Sequence, residues 1–277
     1  MKKVISVALF GPGDRYAQYL PALALGHLNL YPRDEDWSLR VHVGCVEDRW
    51  IKFLSRLCRE KLIEITFMHP WEVGKCEAML WRLEPLFDPG VDYVFCRDLD
   101  APPMPRDRAC MEQFIRSEAM MHTVHDAPVH VGVMGGLCGF RVAELRRATD
   151  WKALADVYRS AGDDVDWSRH GADQDVLNRL VFGHDHTSLT LLEHRYAGWH
   201  CGPRERRRAL PGSYRCQSWS APVPDDGYRS HPLDLVREAD LLGAHLGCAD
   251  YDYTAARAFW EEHGDPAIAR LVRECEG

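Results

Sequence analysis

Four short apolar runs, each rich in β-branched or aromatic residues, recur within the first hundred positions: "KVISVALFG", "SLRVHVGCV", "IEITFM" and "VDYVFC". Between them lie stretches with helical periodicity. "RWIKFLSRLCREKL" puts Trp50, Phe53, Leu54 and Leu57 on one face, and "GKCEAMLWRLEPLF" runs until Asp88-Pro89-Gly90 stops it. "YAQYLPALALGHLNLY" is also helical in pattern, with Pro21 and Gly26 predicting a late start or a kink. Short buried strands that alternate with helices have few solutions. A strand can reach a parallel neighbour only through a crossover, and a helix makes that crossover while covering one face of the sheet. The alternation therefore predicts an α/β fold with a mostly parallel central sheet flanked by helices. In such sheets ligands bind beyond the carboxyl ends of the strands.

The 277 residues, 46% of them hydrophobic, suit a single domain spanning residues 1–277. The composition changes only after about residue 200, where "CGPRERRRALPGSYRCQSWSAPVPDDG" reads as loop; "TAARAFWEEHGDPAIARLVREC" then reads as two helices divided at Gly264-Asp265-Pro266. A net charge of −8 lacks the basic footprint of a nucleic-acid binder. "MKKVISVALFGPGD" has two lysines and a short apolar run without a small-residue cleavage site, which fits a first strand better than a secretion signal. No segment approaches the roughly 18 apolar residues of a membrane span. The ten cysteines contain no C-x-x-C pair, and several sit in apolar runs, so buried reduced thiols in a cytoplasmic protein are expected.

The fourth strand runs into "RDLDAPPMPRD", with Asp98 and Asp100 one residue apart before a group of prolines. If strand geometry continues through them, both carboxylates point to the same side. Two hard oxygen donors at a sheet edge suit Mg²⁺ or Mn²⁺, which keep waters and also take substrate phosphates. The plain alternative is a solvated turn, with Arg97 pairing a carboxylate or a phosphate. A dinucleotide-binding reading of "GPGDRY" fails, because Tyr16 stands where the third glycine belongs and the second strand ends in Gly44-Cys45. A haloacid-dehalogenase-like phosphatase would carry its aspartates on the first strand, and Pro102 stands where that pattern has Thr or Val. A second cluster, "HGADQDVLNRLV", puts Asp173, Gln174 and Asp175 in the first turn of a helix, where acidic groups also simply complement the dipole. Between the clusters, "VHVGVMGGLCGFR" has Gly135, Gly136 and Gly139 interrupting an apolar run, which lets backbone approach a ligand closely or make a bulge.

The strand leading into "RDLD", the glycine-bearing strand and then "DQDVLN", in that order, resemble GT-A-fold glycosyltransferases, nearest to retaining enzymes of the family-eight type and to bacterial and viral relatives carrying "RDLD". The run from Trp81 and Arg82 through Pro85 and Leu86 to "VDYVFCRDLD" and the late "LLGAHLG" share the likeness, which spans about residues 4–247. It implies a nucleoside-diphosphate-sugar donor, a UDP-sugar first, with residues 1–100 as the nucleotide half, 101–250 as the sugar and acceptor half, and 251–277 as closing helices. Asp98 and Asp100 would hold Mn²⁺ or Mg²⁺ at the diphosphate. Leu9, Gly11 and Arg15 of the first-strand loop would meet base and ribose, with Arg82, Arg97, Lys75, Gly135 and Gly136 near the donor. Asp173 would contact the sugar, and Gln174 would lie by the anomeric carbon and stabilise an oxocarbenium-like transition state. An inverting course would instead need a carboxylate base, and Asp173 or Asp175 could serve.

One departure stands out. The family's late His-x-x-Gly-x-x-Lys-Pro-Trp segment, source of a third metal ligand and a phosphate lysine, is missing. His194 is the preferred substitute for the histidine and His245 the other candidate. Arg204, Arg206, Arg207 and Arg208 could close over the diphosphate. Asp126 is a candidate for sugar hydroxyls. His122 and His125, with His130 beyond, have a spacing that could seat zinc on a helix, but Pro128 breaks any helix there and no carboxylate follows at a suitable interval. The expected partners are the donor, an unidentified acceptor and a second copy of the chain. The competing readings are a nucleotidyltransferase or phosphohydrolase built on the same aspartates, and a non-catalytic nucleotide-sugar-binding module.

Overall fold

A computed structural model describes residues 1–11, 15–68, 77–100, 103, 105–125, 133–148, 156, 165–168, 171–182, 190–195, 217–222 and 253–277. The four apolar runs form β1 (Lys3–Leu9), β2 (Trp37–Val43), β3 (Glu64–Phe67) and β4 (Tyr93–Arg97). Four more strands follow: β5 (Met121–His125), β6 (Leu137–Arg141), β7 (Thr190–Arg195) and β8 (Gln217–Pro222). They make one eight-stranded sheet in the order β3-β2-β1-β4-β6-β5-β7-β8. Every pairing is parallel except those of β6, which runs antiparallel to both β4 and β5. The mostly parallel α/β sheet expected from the alternation is the one observed. β2 and β3 lie on one side of β1, and β4 on the other. The strand order thus reverses at β1, and the crevice at such a switch point is the favoured ligand site of open α/β sheets.

Strand alternation divides the core in two. Ile5, Val7, Leu9, Leu39, Val41 and Phe95 pack against α1 (Leu20–Leu30), α2 (Asp48–Arg59) and α3 (Pro105–Arg116). The C-terminal helices α6 (Tyr253–His263) and α7 (Pro266–Glu276) cover the same side, packing on α1. Val4, Val94, Cys96, Cys138 and Phe140 face the other way, onto the segment Glu77–Phe87 and onto α4 (Val142–Ala148) and α5 (Ala172–Phe182). The late helix start predicted by Pro21 is observed: a 3-10 turn at Ala17–Tyr19 precedes α1, and the proline falls in the first turn, where its missing N–H costs nothing.

Glu77–Phe87 differs from expectation. Its periodicity reads as α-helix, but the segment forms successive 3-10 turns. Pro85 lies inside it and cannot donate to the preceding turn, so a regular α-helix is disfavoured. Buried Leu80, Leu83 and Leu86 recur every third residue, the 3-10 period, and hold the segment against β1 and β4. Cys96, Cys110, Cys138 and Cys275 are buried free thiols, and Cys45 is exposed. Among the described residues no helix is long and apolar enough to cross a membrane.

Candidate functional site

β4 ends at Arg97, and Leu99-Asp100 form a turn, so strand alternation sets the direction of Asp98 but not of Asp100. Asp98 continues the face of Val94 and Cys96, toward the 3-10 segment. There it meets Arg82, which is 3% exposed and gives all three nitrogen positions to the protein. Nη1 donates to Asp98 Oδ1, Nη2 donates to Asp173 Oδ2 at 3.0 Å, and Nε donates to the Met79 carbonyl at 2.9 Å. Burial alone would lower the pKa of this guanidinium, but the Asp98 and Asp173 carboxylates outweigh it and raise the pKa above the usual arginine value. One cation thus joins the two acidic clusters of the sequence, Asp98 lying 16 residues and Asp173 91 residues along the chain from Arg82.

The glycine pair makes this closeness possible. A Cβ at Gly136 would collide with the Asp98 carboxylate; one at Gly135 would lie 3.0 Å from Arg82 Nη2 and 3.1 Å from Asp173 Oδ2. α5 supplies Asp173 from its first turn, after Gly171 enters the helix at φ +82°. Gln174, next along, donates from Nε2 to Met134 Sδ at 3.4 Å, tying the helix start to the approach of β6. Two thiols lie beneath. Cys96 and Cys138 are opposite each other across β4 and β6; the first donates to the Arg82 carbonyl at 3.5 Å and the second to the Gly135 carbonyl at 3.8 Å.

The structure thus brings together Arg82, Asp98, Gly135, Gly136, Asp173 and Gln174. Asp100 is buried in the adjoining turn, 7% exposed. Asp175 is exposed: two residues beyond Asp173, it is turned about 200° around the helix. Leu9 packs in the core on the opposite face of the sheet. Gly11 takes φ +92°, and Arg15 is exposed with its guanidinium 5.3 Å from the Tyr16 ring centroid. Lys75, Asp126, His245 and Arg204 through Arg208 lie outside the described residues.

Two expectations require correction. Arg97, read as a donor contact, faces the helices of the other side. Its Nε and Nη2 form a two-bond pair with Asp107 of α3, both bonds 2.8 Å, and Nη1 donates to the Cys96 and Cys138 carbonyls at 2.7 and 3.0 Å. Strand alternation forces this, since Asp98 already faces the site. Sequence reasoning missed Asp107, whose only signal is an acidic residue in the first turn of a proline-started helix. His194, the preferred third metal ligand, is also misplaced. Cys96, Cys138, Thr123 and Glu193 are partners across four strands, so His194 sits on β7 three strands from β4, or ~14 Å at ordinary strand spacing. It is fully buried, its Nδ1 lies 3.3 Å from His122 Nδ1, and burial followed by nearby Arg97 lowers its pKa to about 4.

Among the described residues no group of three or more His, Cys, Asp or Glu is placed around one metal position. The donor chemistry still suits a hard divalent cation. Asp98 and Asp100 offer only oxygen, and the guanidinium already set between Asp98 and Asp173 marks a site built around positive charge. A cation here would be held by Asp98 and Asp100 and would take phosphate oxygens and water to complete its shell.

No protein-family model matches the chain, and no curated protein matches it in sequence. Solved structures do match in chain path. A mannosyltransferase from Pyrobaculum calidifontis, in complex with GDP-mannose and Mn²⁺, is 12% identical over 99% of this chain and 73% of its own, with a TM-score of 0.43. The galactosyltransferase LgtC, with donor and acceptor sugar analogues, is 14% identical over 97% and 99%, with a TM-score of 0.48. Mouse xyloside xylosyltransferase 1 is 13% identical over 82% and 98%, with a TM-score of 0.43.

Proposed function

We propose that the chain is a metal-dependent glycosyltransferase that moves a sugar from a nucleoside-diphosphate sugar, a UDP-sugar first, to an acceptor hydroxyl. The observation that carries this reading is the joining of Asp98 to Asp173 through Arg82 beneath Gly135-Gly136, beyond the carboxyl end of β4, the strand next to β1 where the order reverses. Glycosyl transfer needs two things close together: positive charge at a departing diphosphate, and oxygen dipoles or carboxylates around a sugar carbon that becomes cationic. The first cluster supplies a place for the former and the second supplies the latter.

In this reading Asp98 and Asp100 hold Mn²⁺ or Mg²⁺, which when bound neutralises the diphosphate. Asp173 orients the sugar through its hydroxyls. The Gln174 amide oxygen turns toward the anomeric carbon as the bond to the diphosphate oxygen breaks and the acceptor oxygen bonds in its place. The acceptor proton leaves to the departing diphosphate in a retaining course, or to Asp173 in an inverting one. Gly135 and Gly136 leave room for the Arg82, Asp98 and Asp173 side chains against the sheet backbone.

The test is incubation with Mn²⁺ and a panel of sugar nucleotides, followed by NMR of the products. Free sugar or glycoside together with nucleoside diphosphate is the expected outcome, and the anomeric signal assigns the stereochemistry. Release of pyrophosphate or nucleoside monophosphate instead would overturn transfer in favour of nucleotidyl or phosphohydrolase chemistry. Thermal stabilisation by donor without turnover would leave a binding module.

A further inference from the structure

Arg82 is the best-held side chain of the site, and what holds it is the very carboxylate that a divalent cation needs. Its guanidinium is 3% exposed, whereas Asp98 and Asp173 keep 24% and 14% of their side chains exposed. Solvent ions therefore reach the carboxylates rather than the guanidinium. Asp98 commits Oδ1 to Arg82, and its other oxygen lies against Gly136. Arg82 has two further anchors, Asp173 Oδ2 at 3.0 Å and the Met79 carbonyl at 2.9 Å, so it can lose Asp98 and stay in place.

We propose that Arg82 is a built-in counter-cation, a positioning residue that holds Asp98 and Asp173 together until a divalent cation arrives and then gives up Asp98 while keeping Asp173. This rests on the metal-binding reading above and adds an exchange to it. Without Arg82 two carboxylates would face each other in a partly buried site, and like charges in low dielectric repel. With Arg82 in place they are paired, and a divalent cation must compete with it for Asp98. Loading then frees one arm of the guanidinium beside the incoming diphosphate, while the retained bond to Asp173 keeps the first turn of α5, and so Gln174, in register with the donor.

The exchange is tested by Mn²⁺ binding, followed as loss of the free-Mn²⁺ EPR signal, and by thermal unfolding with and without Mn²⁺. In R82Q the competitor is gone, so Mn²⁺ should bind about tenfold tighter than to wild type and raise the unfolding temperature further. Adding D98N to R82Q should erase that gain. If R82Q folds only when Mn²⁺ is present, the cation has taken the place of the guanidinium, which supports the exchange equally. Binding of Mn²⁺ by R82Q no tighter than by wild type, a gain that survives D98N, or a chain still unfolded at saturating Mn²⁺ would each overturn it. If wild type binds Mn²⁺ but R82Q shows no gain, only the exchange falls; if neither binds Mn²⁺, the metal site of the proposed function falls with it.

Discussion

Gly136 and Gly135 are neighbours, but their surroundings rank them. A methyl group at Gly136 would meet the Asp98 carboxylate head on, well inside contact distance, whereas at Gly135 its nearest atoms, on Arg82 and Asp173, would be 3.0–3.1 Å away. We therefore expect G136A to lose about 1–3 kcal/mol of stability by overpacking and to lose donor binding, with G135A milder in both. Thermal unfolding and a donor titration compare the two; equal effects would show that Asp98 is free to turn. Asp100→Ala should abolish Mn²⁺-dependent donor binding and leave the fold intact, checked by the same titration beside a circular-dichroism melt. Arg97 belongs to the other side of the sheet. R97M would leave the buried Asp107 carboxylate unpaired and cost about 3–5 kcal/mol in urea unfolding. Residue identities alone marked Asp98, Asp173 and the glycines, because spacing and punctuation are local. They did not reveal the partner of Arg97, since Asp107 lies ten positions on and belongs to a different element, α3.

At the level of elements, strands β1 to β4 and the two C-terminal helices were legible, for the same reason: each is a short pattern bounded by its own stop signal. The boundary at Gly264-Asp265-Pro266 is a working cap, in which the Asp265 carboxylate accepts from the Ala267 N–H at 2.7 Å and Pro266 opens α7. D265A should remove about 1 kcal/mol, seen as a lower denaturant midpoint with the slope unchanged. α7 packs on α1 and α2, so a larger loss would mean that the cap also fixes this docking. Two elements were not legible. The 3-10 course of Glu77–Phe87 follows from Pro85 together with its packing against β1 and β4, and a periodicity reading sees only the apolar positions. The antiparallel insertion of β6 between β4 and β5 is a matter of pairing direction, which no run of apolar residues encodes.

The whole molecule carries a feature that neither motif nor element announces: imidazoles built into its interior. His27, His42, His122 and His194 are each at most 1% exposed. Desolvation pushes their pKa values down, to about 3 for His27, about 3 for His42 with nearby Arg40 adding to it, and about 4 for His194; His122 is also lowered, by burial and then by His194 and Arg97. They are held neutral in the fold but protonate near 6.5 once the chain unfolds. The unfolded state then binds more protons below that value, so stability must fall as pH drops from about 6.5 toward 4. At pH 5 each contributes a loss of about 2 kcal/mol, or about 6 kcal/mol for His27, His42 and His194 together, against a typical total of 5–15 kcal/mol. Urea midpoints should therefore be flat above pH 7.5 and decline steeply from pH 6.5 to 5. The favourably paired carboxylates Asp36, Glu64 and Asp88, whose pKa values are lowered, lose their contribution only at more acid pH, so they do not blur this window. H27F, which keeps a ring against Tyr31, should lessen the decline by about 2 kcal/mol at pH 5 while leaving the neutral-pH midpoint nearly unchanged. A wild-type midpoint that stays level from pH 7 to 5 would mean that these rings reach water, and that the sheet from β2 to β7 with α1 on it is not the closed layer on which the Asp98 site is mounted.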